Sequence, residues 1–362
     1  MFLRFKKKKP SLSKETKTAE KLIGTLLSLR VVRFALILII FITLAPFILF
    51  LIFKPTPAKQ INYGVTFSKK YAQNLGLDWR DTYIKILDDL RARNIRLVAY
   101  WDDSEPNPDD YRFDDIKWQL DEAQKRNAYV IMTIGRKVPR YPECFEPSWW
   151  KQIGSKERKD LELYEYIKNA TLELKGYDVI KMWQIENEPF FPFGECPAIE
   201  RSTVKKEIEI VRDLDKRPIL VQDSGEGGFW YPSYILGDYL AISMYRKIWY
   251  DFWNVFLGNF IYFKYPLAHW TYKIKAHMLG VPPSKIIVTE LQAEPWGPGI
   301  NSSITKEEKE KTMSRSDFIA TINYAQKTGF KDLYLWGAEW WLYEKEKNGN
   351  SFYWDTARAL FN

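Results

Sequence analysis

Residues 61–362 contain eight short apolar runs that alternate with amphipathic stretches, and this alternation constrains the fold more than any other feature of the chain. Apolar runs that alternate with helices pair as parallel strands through right-handed crossovers. Eight such units over about 300 residues match a closed (β/α)8 barrel in number and in length. We therefore predict an α/β fold, a TIM barrel over residues 61–362. The predicted strands are residues 61–68, 95–101, 128–135, 179–188, 218–223, 239–245, 285–290 and 332–336.

An open, doubly wound sheet is the alternative arrangement of these units. That fold usually has fewer strands, and its nucleotide-binding form carries a glycine-rich turn after the first strand. Here the first predicted strand leads into Phe67-Ser68-Lys69-Lys70, which contains no glycine. The barrel is therefore the favoured prediction.

A charge-free apolar run of 20 residues, 34–53, precedes the barrel region. This is the length that a helix needs to cross a bilayer. Lysine and arginine are concentrated before the run, which places the N-terminus in the cytoplasm by the positive-inside rule. We predict a basic cytoplasmic tail at 1–33, a single transmembrane helix at 34–53, a linker at 54–60 and a catalytic domain at 61–362 outside the cytoplasm, so that membrane lipid is a partner. A cleaved signal peptide is the alternative, but its apolar core would be shorter and residues 54–57 lack a small-x-small cleavage pattern.

The formal charge of +8 is confined to the first segment. Residues 1–59 hold 12 Lys and Arg and 2 acidic residues, which leaves the remainder with a net charge of −2. A nucleic-acid-binding domain would carry a basic face. The charge distribution therefore argues against a nucleic-acid partner.

The carboxyl ends of the predicted strands are rich in carboxylates and indole rings. In TIM barrels the catalytic residues lie at this end, which we call the mouth. The chain has two histidines, His269 and His277, and both fall in the helix after the sixth strand. A zinc site or a Ser-His-Asp triad would need histidine in the mouth, so we predict neither, and we predict no metal and no cofactor.

Glu188 ends the fourth predicted strand and Glu290 ends the seventh, so the two lie across the mouth from each other. Cleavage of a glycosidic bond needs one protonated carboxyl as acid and one ionised carboxylate as nucleophile or base. Tryptophan faces stack on the apolar faces of sugar rings. A purely structural role, in which both glutamates pair with arginines, is the alternative interpretation.

The motifs around these glutamates resemble those of the clan A glycoside hydrolases, closest to the bacterial β-galactosidase and endoglycanase type. Asn187-Glu188-Pro189 ends the fourth strand, and Ile286-Ile287-Val288-Thr289-Glu290 forms the seventh. The resemblance implies a retaining enzyme with Glu188 as proton donor and later base, and Glu290 as nucleophile. It also implies that Asn187 binds the 2-hydroxyl of the sugar.

The same resemblance implies further substrate-binding residues. Arg96 would contact the nucleophile, Tyr245 would hydrogen-bond it, and Trp336 would form a sugar platform. Trp101 and Trp296 lie in stretches that are similar to bacterial β-galactosidases, and we predict that both contact substrate. Glu186 alternates away from Glu188 on the strand and is not predicted to be catalytic. Glu294 and Glu339 are left open between substrate contact and a solvated loop.

Cys144 follows the third strand and Cys196 the fourth, so their loops are neighbours in the mouth. We predict a disulfide between them, with free thiols as the alternative. The loop at residues 247–265 is unusually aromatic. It is interpreted as a small core packed on the barrel with partial substrate contact, rather than as a lid or a membrane-resting edge.

The sequence thus predicts a membrane-anchored retaining glycoside hydrolase that acts on a carbohydrate. One alternative is a catalytically silent carbohydrate-binding or envelope scaffold protein on the same barrel, and the other is a transglycosylase. Sugar, linkage, endo or exo action and oligomeric state are left open.

Overall fold

A computed structural model describes residues 14–53, 56–250, 261–297 and 301–361. The chain divides into two compact units, Met1–Lys54 and Pro55–Asn362. The first unit contains one described helix, α1 (Lys14–Phe53). Within it, Ile23–Leu49 is long and apolar enough to cross a membrane, with a mean hydropathy of 2.6, although a signal sequence has the same properties. This stretch begins earlier than the predicted span at 34–53.

The second unit is built on a closed barrel of eight parallel strands. Around the barrel the order is β1, β10, β9, β6, β5, β4, β3 and β2, which returns to β1. The (β/α)8 TIM barrel predicted from the sequence is therefore confirmed. The barrel strands are β1 (Asn62–Thr66), β2 (Asn94–Val98), β3 (Tyr129–Ile134), β4 (Ile180–Ile185), β5 (Ile219–Asp223), β6 (Tyr239–Met244), β9 (Ile286–Gln292) and β10 (Asp332–Trp336).

Helices follow the strands and pack outside them. They are α2 (Lys69–Asn74), α3 (Trp79–Asp88), α4 (Trp101–Ser104), α5 (Asp114–Lys125), α6 (Ser148–Lys151), α7 (Lys156–Leu174), α8 (Arg201–Leu214), α9 (Tyr231–Tyr234), α10 (Trp270–Met278), α11 (Lys306–Met313), α12 (Arg315–Gln326), α13 (Ala338–Lys347) and α14 (Phe352–Arg358). Side-chain oxygens cap several N-termini, as Asp78 does for α3 and Ser155 for α7. Such caps satisfy backbone N–H groups that have no partner inside the helix.

Three connections have structure that the strand pattern does not indicate. After β9 the chain forms two helices in place of one, because Ser314 and its capping box with Asp317 begin α12 directly after α11. Helix α13 follows closely after the last strand, β10. In the aromatic loop, β7 (Lys247–Tyr250) pairs with β8 (Ile261–Lys264) as an antiparallel hairpin. The tip of this loop, residues 251–260, lies outside the described residues.

Strands β3, β5, β6, β9 and β10 alternate between two apolar layers, and this alternation places the site. On β5, Ile219 and Val221 face the main core against the helices, while Leu220 faces the barrel interior. Continuing the alternation, Gln222 faces the interior one level nearer the mouth. The same argument applies to Arg96 and Gln184, because the residues on either side of each belong to the outer core. A polar layer therefore lies above the apolar plug of the barrel.

Candidate active site

Strand β4 ends at Ile185, three residues before the end predicted from the sequence. Glu186 and Glu188 both have positive φ angles, 60° and 46°, so the chain leaves the strand in a tight irregular turn. Positive φ is costly for a residue with a Cβ and persists only where the surroundings fix it. Here the turn separates the two carboxyls. Glu186 accepts hydrogen bonds from the backbone N–H groups of Arg136 and Lys137, while Glu188 faces the mouth.

Glu290 accepts hydrogen bonds from three side-chain donors. Its Oε1 accepts hydrogen bonds from Arg96 Nη1 at 2.9 Å and Gln222 Nε2 at 2.8 Å. Its Oε2 accepts one from the Tyr245 hydroxyl at 3.2 Å. Hydrogen bonds to an ionised carboxylate, and an opposite charge beside it, favour the charged form. Glu290 thus has the setting of a nucleophile or base.

Arg96 is fully buried and connects the parts of this site. Besides Glu290, it donates to Gln184 Oε1 at 2.8 Å, to Gln222 Oε1 at 2.7 Å and to Asn187 Oδ1 at 2.6 Å. The guanidinium therefore fixes Asn187 and Glu290 relative to each other. Such planar, multi-donor contacts are beyond the reach of a lysine.

Glu188 has a different environment. It is 6% exposed, and its Oε1 accepts a hydrogen bond from Ser243 Oγ at 2.7 Å. The pKa of Glu188 is raised to about 8, first by burial and then by the negative charge of Glu290, against the opposing effect of the Ser243 hydrogen bond. At neutral pH this carboxyl is protonated, as a general acid must be. Ser243, which donates to Glu188, is paired in register with Glu290 on the neighbouring strand, so the two glutamates lie near each other.

Aromatic rings lie beside the nucleophile candidate. Tyr245 packs edge-on against Trp296, with ring centroids 4.8 Å apart, and Trp296 packs in the same way against Phe193 at 5.4 Å. Trp296 and Tyr245 both remain partly exposed. The structure therefore brings Trp296, Tyr245 and Glu290 together at one side of the mouth.

Trp336 lies in the mouth, but one of its faces is covered. The Arg140 guanidinium lies 4.0 Å from the Trp336 ring centroid and 3.7 Å from that of Tyr71. Arg140 pairs with Glu294 and, at 3.1 Å, with Glu339. Both glutamates are buried, so neither belongs to a solvated loop. A sugar on Trp336 would use the opposite face or displace Arg140.

Trp101 lies away from the other residues that were predicted to contact substrate. It is fully buried, its indole N–H donates to Glu105 Oε2 at 2.7 Å, and its ring stacks on Tyr166 at 5.0 Å. Trp149 and Trp150 also pack against it. These contacts place Trp101 in the core between barrel and helices.

The loop after β3 enters the mouth, as predicted, but it brings residues that the sequence did not single out. We call residues 136–146 loop three; its Lys137 is fully buried and donates through Nζ to the backbone oxygens of Glu188, at 3.0 Å, and Phe191, at 2.6 Å. Glu143 is 5% exposed and accepts a hydrogen bond from Asn187 Nδ2 at 3.2 Å. The sequence offered one signal, since charged residues flank the predicted disulfide cysteine Cys144.

Cys144 and Cys196 form a disulfide in the structure, with Cα atoms 5.2 Å apart. It joins loop three to the loop after β4. Among the described residues, the one cluster of potential metal-ligating side chains is Cys144, Glu146 and Cys196. Its two sulfur atoms are joined to each other, so the cluster does not offer thiolate ligands.

No protein-family model matches the sequence, and no curated protein matches it. Solved structures do match. An exo-β-1,4-mannosidase from Opitutaceae bacterium strain TAV5 has a TM-score of 0.55 and 14% identity, over 85% of this chain and 62% of that one. A GH5_18 protein from Streptomyces cattleya in complex with GlcNAc has a TM-score of 0.53 and 12% identity, over 77% and 70%. A β-galactosidase from Rahnella sp. R3 has a TM-score of 0.41 and 10% identity, over 53% of this chain, which spans 41% of its length.

At these identities the comparisons show the fold. Two buried glutamates interact across the barrel mouth, one neutral and bonded to a serine, the other bonded to an arginine, a glutamine and a tyrosine. This arrangement can protonate one atom of a bound molecule while a carboxylate attacks or stabilises a neighbouring one.

Proposed function

We propose that this chain is a retaining O-glycoside hydrolase. The observation that carries the proposal is the contrast between Glu188 and Glu290, two interacting buried carboxyls of which the first has its pKa raised to about 8 and the second is bonded to Arg96. Separation of two carboxyls into a proton donor and an anion is the requirement of glycosidic cleavage. Partly exposed rings at the mouth supply surfaces for a sugar.

The reaction follows from these roles. Glu290 attacks the anomeric carbon while Glu188 gives its proton to the departing glycosidic oxygen, which leaves a sugar ester on Glu290 and Glu188 ionised. Glu188 then removes a proton from water, and the water oxygen displaces Glu290. Two displacements at one carbon return it to its starting configuration. Arg96 stabilises Glu290 when it leaves as an anion.

The comparisons support a carbohydrate substrate. The exo-β-1,4-mannosidase and the GH5_18 protein share the barrel, and the latter is described in complex with GlcNAc. We carry over to this chain the substrate class, poly- or oligosaccharide, and no particular sugar. The apolar helix stretch Ile23–Leu49 supports a membrane anchor, and the basic residues before it support placement of the barrel outside the cytoplasm.

The roles of Glu188 and Glu290 can be separated with aryl glycosides whose leaving groups differ in acidity. Glu188→Ala should lower kcat/KM by roughly 10²–10⁴-fold for a poor leaving group, since general acid catalysis contributes about that much. The same variant should change little for dinitrophenolate, which needs no proton. Glu290→Ala should remove turnover of both. Glu195→Ala, an exposed carboxylate on the loop after β4, is the matched control and should behave like wild type.

Product stereochemistry tests retention, since NMR of the first-formed sugar shows which anomer appears. The opposite anomer would contradict the double displacement. Sugar transfer to an added acceptor in preference to water would make the protein a transglycosylase. Binding of oligosaccharide without turnover would favour the silent carbohydrate-binding protein.

A further inference from the structure

Lys137, near the start of loop three, contacts the segment of chain that carries Glu188. Its side chain is fully buried. The Nζ atom donates one hydrogen bond to the backbone oxygen of Glu188 at 3.0 Å and another to the backbone oxygen of Phe191 at 2.6 Å. Both acceptors lie in residues 186–191, where the chain leaves β4, and we call this segment the acid turn. One ammonium group therefore joins two peptide groups of the turn to loop three.

The backbone of Lys137 contacts the same turn. Its N–H group donates to Glu186 Oε2 at 2.6 Å, and its carbonyl oxygen accepts a hydrogen bond from the Asn187 N–H at 2.6 Å. Side chain and backbone together connect Lys137 to Glu186, Asn187, Glu188 and Phe191. The conformation of the acid turn is thus restrained along its length by a single residue of the neighbouring loop.

The acid turn needs restraint because its backbone is strained. Glu186 and Glu188 have φ angles of 60° and 46°, and residues with a Cβ stay in this region only where the surroundings over-determine them. The backbone angles of Glu188 set the direction in which its side chain leaves the chain. Its carboxyl group is held separately, by the Ser243 hydroxyl at 2.7 Å. Glu188 is therefore fixed at its backbone by loop three and at its carboxyl by β6.

An ion pair with Glu143 does not by itself account for the position of Lys137. Nζ is 3.4 Å from Glu143 Oε2, farther than from the backbone oxygens of Glu188 and Phe191. A buried ammonium group is costly unless both a counter-charge and hydrogen bonds compensate it. Glu143 supplies the counter-charge, and the acid turn supplies the hydrogen bonds. The ammonium group is thus directed at the turn, and its full burial keeps it from touching a bound sugar.

We propose that Lys137 is a positioning residue for the proton donor: its ammonium group holds the acid turn in the conformation that directs the Glu188 carboxyl into the mouth. The proposal rests on the proposed glycosidase function. It implies that Lys137 matters most for substrates whose leaving group has to be protonated, such as oligosaccharides, in which a sugar hydroxyl departs.

The test replaces Lys137 by methionine, which keeps the length of the side chain and removes the ammonium group. For an aryl glycoside with a poor leaving group, kcat/KM should fall roughly 10²-fold, the effect of about 1 Å of misplacement of a reacting group. For the dinitrophenyl glycoside it should change little, because dinitrophenolate departs without a proton and Glu290 is not displaced. A variant that had only lost folded protein would lose the same fraction of activity on both substrates.

Two outcomes of this comparison would overturn the proposal while the glycosidase function stands. One is an equal loss of kcat/KM on both substrates, and the other is no loss on either. Lys137→Gln provides the same comparison if Lys137→Met does not fold, since it keeps N–H donors on a shorter, neutral side chain. Its loss should again be larger for the poor leaving group than for dinitrophenolate.

Lys309→Met is the matched control for removal of a largely buried lysine. Lys309 lies on α11 and pairs with Glu344 of α13 at 3.0 Å. Glu146→Gln controls for disturbance of loop three itself, since Glu146 pairs with Arg136 at 2.9 Å. Both control variants should keep the wild-type ratio of kcat/KM between the two substrates. A changed ratio in either control would show that the ratio does not report Lys137, and this would count against the proposal.

Hydrogen exchange separates failure of this proposal from failure of the proposed function, because it needs no turnover. In Lys137→Met the backbone amides of residues 186–191 should exchange faster than in wild type, while those of β1 and β10 keep their rates. If wild type hydrolyses no glycoside but this change appears, Lys137 holds the turn and the glycosidase function falls. If the amides of the turn exchange as in wild type, the ammonium group does not hold it, and the proposal is overturned whatever the activity.

Discussion

Glu188 and Glu290 are the same residue type, and the barrel surrounds them with opposite partners. Glu290 receives N–H and O–H donors from Arg96, Gln222 and Tyr245. Glu188 has one hydroxyl donor, Ser243, in an otherwise desolvated setting. This difference in partners gives the two carboxyls different roles: Glu188 is buried with little to stabilise a charge, whereas Glu290 lies beside the Arg96 cation.

The fall in kcat/KM at alkaline pH should reflect the loss of the Glu188 proton. Its pKa is raised to about 8, so it is protonated at pH 7 and loses its proton as the pH rises through about 8. kcat/KM for a poor leaving group should therefore fall about tenfold per pH unit above that value. Ser243→Ala removes the hydrogen bond that lowers this pKa, so the fall should move to higher pH. A fall that moves to lower pH would contradict the assignment of Glu188 as acid.

Replacement of Arg96 should affect both activity and stability. Arg96→Met leaves Glu290 buried without its cation, and breaking a buried ion pair from one side costs about 3–5 kcal/mol in the free energy of unfolding. Turnover should be lost as well. Arg80→Met, which removes an exposed pair with Asp115, should cost about 1 kcal/mol or less. Urea unfolding of the two variants at pH 7 makes the comparison, and equal costs would argue against the network.

At the level of single residues, the sequence pointed to some positions and not to others. Glu188, Glu290 and Asn187 could be found because a motif and the strand pattern indicate the mouth. Glu143 was not predicted, since it lies in an irregular loop whose backbone follows no periodicity and only its place beside Cys144 pointed to it. Trp101 was predicted in the mouth, yet its ring stacks on Tyr166 in the core. Periodicity tells which end of a strand a residue occupies, but a one-turn helix such as α4 then redirects the side chain.

At the level of elements, the disulfide joins two loops of the mouth across 52 residues of sequence. Cys144→Ser with Cys196→Ser should lower the free energy of unfolding by about 2–4 kcal/mol. Activity should fall by more than the loss of folded protein explains, because Glu143 stands next to Cys144. Activity per folded molecule is read from far-ultraviolet circular dichroism and initial rates on the same samples. An unchanged rate per folded molecule would show that loop three keeps its active conformation without the disulfide.

The strands were easier to predict than the connections. The last barrel strand, Asp332–Trp336, has the predicted bounds, because both of its sides are buried and its apolar run lies between a charged pair, Lys331 and Asp332, and Gly337. The strand pattern does not indicate helix α13, although its Ala, Leu, Glu and Lys residues favour a helix. The break before α12 had a local signal in Ser314 and Asp317, the capping-box pattern.

At the scale of the whole molecule, the closed barrel buries several carboxyls whose pKa is raised. Burial raises the pKa of Glu186 and Glu339 to about 7, and that of Glu207 well above its ordinary value. In the unfolded chain these groups ionise near pH 4.5. A raised pKa therefore adds stability below the unfolded value, and this stability is lost as the pH rises through the folded value. Carboxyls whose pKa is lowered, such as that of Asp88, change the stability only below pH 4, outside that pH range.

The barrel should accordingly be more stable at pH 5 than at pH 8. Tm should fall as the pH is raised across this range. Glu207 on α8 shares a buried site with Glu186, which follows β4. Glu207→Gln removes one of these two carboxyls and should therefore make the fall in Tm smaller. Glu209→Gln, on the exposed side of the same helix, is the control and should keep the wild-type slope. A Tm that rises from pH 5 to pH 8 in wild type would contradict the neutral state of these groups.

The disulfide between Cys144 and Cys196 also affects how the protein should be produced. A barrel produced in a reducing cytoplasm would emerge with two thiols, and loop three would lose one of its anchors before any substrate was offered. Preparations from different expression hosts would then differ in specific activity while sharing one sequence, and a thiol added to the storage buffer would erase the difference. Activity should therefore be assayed on material that has matured in an oxidising compartment.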